Sequence, residues 1–225
     1  MQKTILTPGG RQGTKTQNSG SLRERKHEFV LREIERAAWE LFATVGFDRA
    51  TVEEISRQAG VSRRTFFRYF RAKEDVLSYS VENFGRMVTR SLCEAPMTRR
   101  PLAALEGAFL SVLEREMGDC RQPRELLGLM FAEPDLRGRF LCGLDQWVPE
   151  LGKELARRKA CRGDLARCRL VAALYCTAFD YAHLRWYREP EPDITTQVRQ
   201  AFRQLREIGS REYSGKTGVP ARRHR

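Results

Sequence analysis

The sequence predicts an all-α protein in which three N-terminal helices, two of them short, precede a larger helical domain. Apolar residues recur at helical spacing over most of the chain. Glycine, proline and N-capping residues divide that pattern into segments of helix length. No alternation of apolar and polar residues of useful strand length is present, and the chain has no internal repeat. These observations argue against a sheet-based fold and predict about nine helices.

The first predicted helix begins at Arg23 and ends at Val45. Its apolar residues recur every three or four positions, which places them on one face of a helix. Gly46 follows directly and is a typical C-terminal cap, because glycine readily adopts the left-handed conformation that ends many helices. The apolar residues of this helix are Phe29, Ile34, Ala37, Ala38, Leu41 and Phe42.

A helix-turn-helix is predicted directly after the first helix. Thr51 and Glu54 have the spacing of a capping box, which begins a helix of about two turns. Gly60 ends that helix in a tight turn, and Ser62 caps a third short helix that ends at Phe70. The pattern therefore predicts two short helices joined by a glycine-centred turn.

A longer fourth helix is predicted from Lys73 to about Cys93, and Pro96 ends it. Proline, glycine and acidic caps divide the remainder into helical stretches at residues 101–117, 123–132, 135–160, 164–188 and 194–208. Pro149 lies inside the third of these stretches. Because proline lacks the amide that a helix needs, we expect a break or a kink near Trp147.

The chain of 225 residues carries a formal charge of +12, with 41 Lys and Arg residues against 29 Asp and Glu. More than half of the excess lies at the two ends, which lack periodic apolar positions and are expected to be disordered. Within the folded part, the stretch Ile55–Lys73 contains six basic residues and no acidic one. The predicted organisation is a disordered basic arm, a helix-turn-helix domain, a helical domain and a disordered basic tail, at residues 1–22, 23–72, 73–209 and 210–225.

The basic stretch coincides with the helix-turn-helix. Ile55, Phe66 and Phe70 are predicted to hold the two short helices together, which leaves the other side chains of the second short helix facing outwards. A merely solvated face does not require exposed aromatic residues such as Phe67 and Tyr69, so we interpret it as a contact surface for nucleic acid. The outward side chains are Arg63, Arg64, Thr65, Phe67, Arg68 and Tyr69.

Residues 28–75 resemble the DNA-binding domain of the TetR family of one-component bacterial repressors. The matching string follows one helix, precedes a long one, and consists of Thr51, Ile55, Ala59-Gly60-Val61-Ser62, Thr65-Phe66-Phe67-Arg68-Tyr69-Phe70 and Lys73-Glu74. Ser56 stands where the family usually has Ala, and Phe67 stands where Tyr is common, so one phosphate-binding hydroxyl is missing. Tyr69, where the family often has His, is expected to supply another.

The resemblance implies that the first three helices bind a palindromic DNA operator as part of a homodimer. It assigns base-edge or groove positions to Arg63, Arg64, Thr65, Phe67 and Arg68. Arg63 or Arg64 is the better candidate for a bidentate contact to guanine. Positions that usually touch phosphate correspond to Thr51, Thr65, Tyr69 and Lys73. Lys73 lies near the start of the fourth helix, where backbone amides also favour anions.

The remainder of the chain resembles the family's regulatory domain in helical layout and length. The resemblance implies a repressor that a small molecule releases from DNA by shifting the fourth helix. It also implies a four-helix dimer interface built from the stretches 164–188 and 194–208. Candidates for that interface, or for the core beneath it, are Leu165, Leu170, Ala173, Leu174, Ala178, Ile194, Val198, Phe202 and Leu205.

A ligand pocket is expected among apolar side chains of this domain. The aromatic residues in the set favour a small hydrophobic effector, and no other cofactor is expected. Ordinary core packing explains the same residues and stays open as the alternative. The pocket candidates are Phe109, Leu113, Met130, Phe131, Trp147, Leu151, Tyr175, Phe179, His183 and Trp186.

Other classes of function have less support. The chain has three histidines, no glycine-rich phosphate loop and no nucleophile elbow, which argues against an enzyme. Asp180 and His183 have i,i+3 spacing but no partner pair, so we expect a hydrogen-bonded pair and no metal site. A thiol redox sensor stays open through Cys161 and Cys168, although no C-x-x-C pair occurs. A basic DNA-binding protein without an effector also stays open.

The location of the protein is predicted from its apolar runs. The longest of them, at about Leu170–Phe179, falls well short of the roughly 18 residues of a membrane span. The N-terminus also lacks the apolar segment of a signal peptide. We therefore expect a cytoplasmic protein without a membrane partner.

Overall fold

The computed structural model describes residues 22–119, 128 and 130–213, which contain eight bounded α-helices, part of one further helix, one 3-10 helix and no strand. The predicted all-α fold class is therefore confirmed. The α-helices are α1 (Leu22–Val45), α2 (Val52–Gln58), α3 (Arg63–Tyr69), α4 (Glu74–Glu94), α5 (Pro101–Asp119), α6 (Pro134–Arg157), α7 (Leu165–Arg188) and α8 (Ile194–Tyr213). The 3-10 helix Ala160–Gly163 lies between α6 and α7.

Three predicted segments fall wholly or partly outside the described residues. The basic arm predicted at residues 1–22 lies outside except for Leu22, the first residue of α1. The tail predicted at residues 210–225 lies outside from residue 214 onwards, because α8 continues to Tyr213. Of the helix predicted at residues 123–132, residues 128 and 130–132 are described, and they are helical.

The described residues form two hydrophobic cores that share α4 and the start of α6. The smaller core joins α1, α2 and α3 to the first turns of α4, where Val76 and Leu77 are buried, and to Leu136 of α6. The larger core joins α4 to α5, α6, α7 and α8, and its α4 residues are Val81, Val88 and Leu92. Because close-packed interiors transmit strain, a displacement of α4 in the larger core also moves its packing in the smaller one.

Two glycines allow α4 and α6 to approach closely. Gly85 of α4 leaves a notch that the indole of Trp147 fills, since a Cβ at this position would overlap the ring. Gly143 of α6 leaves a second notch, which the Val81 side chain fills in the same way. The contact is therefore reciprocal, with a glycine of each helix accepting a side chain of the other.

A buried arginine fastens the end of α4 to α6. The Arg158 guanidinium donates hydrogen bonds to the carbonyl oxygens of Leu92, of Ala95 at 2.6 Å and of Pro96 at 3.2 Å. It also donates to the Glu154 carboxylate at 2.9 Å. Burial alone would raise the pKa of Glu154, but hydrogen bonds from its arginine neighbours lower it. Arg158 thus satisfies carbonyls that the last turn of α4 leaves without helical partners.

The predicted break at Pro149 does not occur, because α6 is continuous from Pro134 to Arg157. Pro149 lies on the exposed side of the helix, and so does Asp145, whose carbonyl it leaves without a helical donor. That carbonyl can be hydrated, while buried Trp147 and Leu151 hold the opposite face in the core. Packing on one side and water on the other therefore compensate for the missing hydrogen bond.

The expected hydrogen-bonded pair of Asp180 and His183 is not formed. Asp180 instead accepts two hydrogen bonds from the Arg137 guanidinium, at 2.6 and 2.7 Å. His183 Nδ1 lies 2.8 Å from the Phe179 carbonyl, and the imidazole is enclosed in the larger core. Burial lowers the pKa of His183 to about 4. An arginine of α6 therefore satisfies Asp180, and a carbonyl of the preceding turn of α7 satisfies His183.

Two further findings concern metals and membranes. In the part of the chain that the structure describes, no group of three or more His, Cys, Asp or Glu side chains could hold a metal ion. None of the described helices combines the length and apolar character needed to cross a bilayer.

The sequence did not distinguish surface from core among the predicted interface residues, and the structure does. The side chains of Leu165, Leu170 and Leu174 on α7 are exposed. The side chains of Ala173, Ala178 and Leu205 are half-buried. The side chains of Ile194, Val198 and Phe202 are buried in the larger core.

The low pKa of His183 predicts that the protein loses stability as the pH falls from 6.5 towards 4. The unfolded chain binds a proton at this residue in that range, whereas the folded protein does not. We expect a loss of about 2 kcal/mol between pH 7 and pH 5, measured as the free energy of unfolding in urea.

The control is His183→Asn, which has no proton to bind and keeps an amide that can donate to the Phe179 carbonyl. Other groups titrate alike in both proteins, so the difference between them isolates His183. Parallel pH profiles for the two proteins would contradict the prediction.

Candidate nucleic-acid interface

Local hydrogen bonds build the turn between α2 and α3. The predicted capping box is present: Thr51 Oγ1 accepts from the Glu54 amide at 3.2 Å, and the Thr51 amide donates to the Glu54 carboxylate at 3.1 Å. Hydrogen bonds from Thr51 lower the pKa of Glu54. After α2, Gly60 has a φ of +65°, and the Val61 amide donates to the Ser56 carbonyl at 2.9 Å. That positive φ explains why a glycine stands here.

The burial of one face of α3 determines which side chains it presents to solvent. Ser62 caps the helix by accepting a hydrogen bond from the Thr65 amide at 3.0 Å. Phe66 is fully buried and lies against Phe70, with ring centroids 5.6 Å apart. Ile55 of α2 is buried in the same core. The exposed side of α3 is therefore the one predicted to contact nucleic acid.

The exposed side of α3 combines arginines with an aromatic ring. Phe67 is 45% exposed, and the Arg63 guanidinium lies 5.4 Å from its ring centroid. Arg63 also pairs with Glu53 of α2 at 2.8 Å. A shallow, open depression of about 670 Å³ runs over this side and is lined by Ser62, Arg64, Thr65, Phe67 and Arg68. We call Arg63, Arg64, Thr65, Phe67 and Arg68 together the α3 surface.

Arg64 differs from the other two arginines of the α3 surface. Arg63 is held by Glu53, and Arg68 donates to Tyr69 Oη at 3.1 Å and lies over the Tyr69 ring. Arg64 is exposed, and no residue in the described ranges pairs with its guanidinium. Its five N–H donors are therefore available to an acceptor outside the protein.

Lys73 has a structural role that the sequence did not predict. Its ammonium donates to the carbonyl oxygens of Phe47, Asp48 and Ala50, at 2.6, 3.1 and 3.1 Å. It also lies 4.5 Å from the centroid of the Phe47 ring. An ammonium has three protons, and these carbonyls use all of them in the protein without DNA. Lys73 therefore fastens α4 to the loop between α1 and α2, and its predicted phosphate contact would require a phosphate to replace one of these carbonyls.

The other three candidates for phosphate contact also have partners within the protein. The Thr65 hydroxyl lies 2.9 Å from the Ser62 hydroxyl. The Thr51 hydroxyl donates to the Glu54 carboxylate at 2.8 Å as part of the capping box. Tyr69 is half-buried, accepts from Arg68, and has the His27 ring of α1 at 4.9 Å. The Tyr69 hydroxyl still has a proton to donate, whereas Thr51 must exchange Glu54 for a phosphate.

The ten pocket candidates lie in or against the larger core. Nine of them are buried there, and Phe131 packs against it half-buried. Phe109 and Phe179 have ring centroids 5.1 Å apart, and Phe179 lies 4.2 Å from the His183 ring. Trp147 alone among the ten also lines a groove between α4 and α6. Core packing therefore accounts for the positions of the other nine.

The two cysteines of the redox alternative differ in exposure. Cys161 is half-buried, whereas Cys168 is buried and its thiol donates to the Ala160 carbonyl at 3.3 Å. Burial together with the neighbouring Cys161 thiol raises the pKa of Cys168 to about 11. Because the thiolate is the reactive form, this high pKa disfavours Cys168 as a redox thiol near neutral pH, and the redox alternative stays open through Cys161.

Residues that support α3 from other helices were not predicted from the sequence. Glu53 orients Arg63, and His27 packs on Tyr69. Glu53 was visible only as an acidic residue in the first turn of a helix, where it also favours the helix dipole. The sequence contains no signal for the contact of His27, because the partner lies on another helix.

Comparison with family models gives two matches. Residues 34–79 match the model described as bacterial regulatory proteins, tetR family. Residues 99–208 match the model described as the MftR C-terminal domain. The two matches lie on the helix-turn-helix and on the larger helical domain.

Two curated relatives are similar over most of the chain. The transcriptional regulator TcmR of Streptomyces glaucescens is 29% identical over 80% of this chain and 82% of its own. A Mycobacterium tuberculosis protein is named as a mycofactocin biosynthesis transcriptional regulator, MftR. It is 25% identical over 79% of this chain and 90% of its own. Among solved structures, a TetR-family regulator from Syntrophomonas wolfei has a TM-score of 0.62 at 15% identity, covering 86% of this chain and 100% of its own. That last likeness concerns the fold.

We expect Lys73→Met to destabilise the protein by about 2 kcal/mol, because three carbonyls lose their hydrogen-bond donor. The measurement is the free energy of unfolding in urea. The control Arg71→Met removes the same charge from an exposed side chain of the same loop and should change stability by less than about 0.5 kcal/mol. A Lys73→Met protein with unchanged stability and uniformly weaker DNA binding would contradict the structural role and support the phosphate contact.

Proposed function

Because the chain belongs to the tetR family of bacterial regulatory proteins, and is a DNA-binding transcriptional regulator, we propose that it is a repressor. It binds a palindromic operator in the bacterial cytoplasm as a homodimer, and a small hydrophobic effector releases it. The observation that carries the operator-binding part is the α3 surface, which includes Arg64, an exposed arginine without a partner among the described residues.

The α3 surface has the chemistry of a major-groove contact. Arginine binds the O6 and N7 atoms of guanine through two parallel hydrogen bonds, and a guanidinium without an internal partner can form them without first giving up another contact. Arg64 meets that condition, so it is the residue to which we assign base discrimination. Arg63 and Arg68 are held by Glu53 and Tyr69, and we assign them to groove and backbone contacts.

An exposed apolar stripe on α7 supports the homodimer. Leu170, Leu174 and Tyr181 are 60%, 44% and 50% exposed, and their spacing puts all three on one face of the helix. A monomer has little reason to leave such a stripe in water. A second copy of the chain that pairs its own α7 with this face would cover it. Two α3 helices in one dimer could then occupy half-sites about 34 Å apart, or a multiple of that spacing.

The shared helix α4 supports control by an effector. It contributes Val76 and Leu77 to the core that carries α3, and Val81, Val88 and Leu92 to the larger core. A ligand that displaces α4 within the larger domain would therefore change the separation of the two α3 helices in the dimer. The predominantly apolar interior of the larger domain favours a hydrophobic ligand.

We expect Arg64→Ala to lose sequence preference at one operator position. The operator is first obtained by selecting genomic DNA fragments that bind the wild-type protein. Titration against that operator should then show a loss of about 1–3 kcal/mol for Arg64→Ala, with little change on a scrambled duplex. Arg36→Ala is the control, since Arg36 is held between Glu33 and Glu40. Equal losses on both duplexes would contradict base discrimination by Arg64.

We expect Leu174→Glu to weaken the dimer at least tenfold, because it puts a charge into the apolar stripe. Sedimentation equilibrium measures the association, and circular dichroism verifies that the helices remain. The matched control is Leu141→Glu on α6, since Leu141 is 43% exposed and Leu174 is 44% exposed. A monomeric wild-type protein, or equal effects of both substitutions, would reject the α7 stripe as the dimer surface.

A further inference from the structure

An open groove of about 440 Å³ lies between α4 and α6, the two helices that the reciprocal glycines bring together. Its volume is within the range of sites for small organic ligands. The residues that line it are Glu82, Gly85, Arg86, Thr89, Arg90, Cys93, Gln146, Trp147 and Glu150. The groove therefore runs along the middle and the C-terminal half of α4.

A polar atom without a partner lies at the floor of this groove. Trp147 is 5% exposed, and its Nε1 atom is buried without a hydrogen-bond acceptor in the part of the chain that the structure describes. The atom packs against the α4 backbone at Gly85, which also lines the groove and has no side chain. Buried indole N–H groups usually have a partner, so an unpaired one beneath a groove points to an acceptor that comes from outside.

The charges around the groove determine which acceptor is suitable. Arg90 pairs with Glu94 at 2.9 Å, and Glu150 pairs with Lys153 at 2.6 Å. Arg86 lies 3.8 Å from Glu82, so these two rim charges largely compensate each other. The groove is lined by two acidic and two basic side chains, so its charge favours neither an anion nor a cation, whereas a neutral carbonyl oxygen needs only the indole N–H.

We propose that this groove binds a neutral, mainly apolar molecule that carries a carbonyl oxygen, and that Trp147 Nε1 donates a hydrogen bond to that oxygen. The assignment of this groove as the effector site rests on the proposed function. Nε1 is covered by Gly85 in the ligand-free protein, so the oxygen reaches it only when α4 and α6 separate at this notch. Binding is therefore linked to a displacement of α4, a helix shared by both cores.

The first test uses two probes of equal shape on the full-length protein. The ketone 2-acetylnaphthalene has one carbonyl oxygen, and 2-isopropenylnaphthalene replaces that oxygen by a methylene group. Nuclear magnetic resonance of the three tryptophan indole N–H groups follows their binding. We expect the ketone to move the Trp147 resonance and to bind about tenfold more tightly than the alkene. Equal affinities, no binding of either probe, or shifts confined to Trp39 and Trp186 would overturn the proposal.

The second test removes the donor and keeps an aromatic ring. Trp147→Phe should bind the ketone and the alkene alike, whereas the control Trp186→Phe should keep the tenfold preference. Both residues are buried tryptophans of the larger core, but Trp186 does not line the groove. Circular dichroism verifies folding, and the resonance shift in the wild-type protein keeps the proposal testable if Trp147→Phe does not fold. A retained preference in folded Trp147→Phe would overturn the donor role.

Operator titration separates this inference from the proposed function. Ketone binding through Trp147 without weaker operator binding would support the groove as a ligand site and count against effector release. Conversely, a screened molecule that releases wild-type protein and Trp147→Phe from the operator equally well would support effector release and overturn the groove as the effector site.

Discussion

Helix α4 is fastened at both ends by a cation that binds backbone carbonyl oxygens, and the connection between the two cores depends on this arrangement. At its start, Lys73 binds the carbonyls of Phe47, Asp48 and Ala50. At its end, Arg158 binds those of the last turn and its extension. Hydrogen bonds from charged groups are stronger than neutral ones, and one cation holds several carbonyls at once. With its ends fixed, α4 can pass on a displacement instead of fraying.

The two cations also change how the basic charge of the protein is interpreted. Lys73 and Arg158 are engaged inside the protein, and several arginines of the helix-turn-helix are held by neighbouring acidic or aromatic side chains. A DNA-contact candidate is therefore distinguished by a guanidinium on the exposed side of a capped helix that has no partner among the described residues, as at Arg64. Net charge alone contributes salt-sensitive attraction to any duplex.

Features determined by near neighbours were predictable from the sequence. The capping box of Thr51 and Glu54, the turn at Gly60 and the burial of Phe66 follow from spacing within a few residues. The structural role of Lys73 was missed because its partners lie more than 20 residues earlier, and the pairing of Asp180 because Arg137 lies on another helix. Periodicity identified the apolar residues of α7 and α8 but not the side on which each lies. Of the break or kink expected near Trp147, the break does not occur, because the packing of the opposite face outweighs one lost hydrogen bond.

The groove between α4 and α6 has a consequence for how such a protein could diverge. Gly85 and Trp147 are buried at its floor, whereas Thr89 and Gln146 line its walls without belonging to either hydrophobic core. Surface substitutions away from special contacts usually change stability little. The walls can therefore accumulate substitutions that alter the shape of an accepted ligand while the folding of both cores is preserved. If the groove binds a ligand as proposed, ligand preference and structural integrity can therefore change independently of each other.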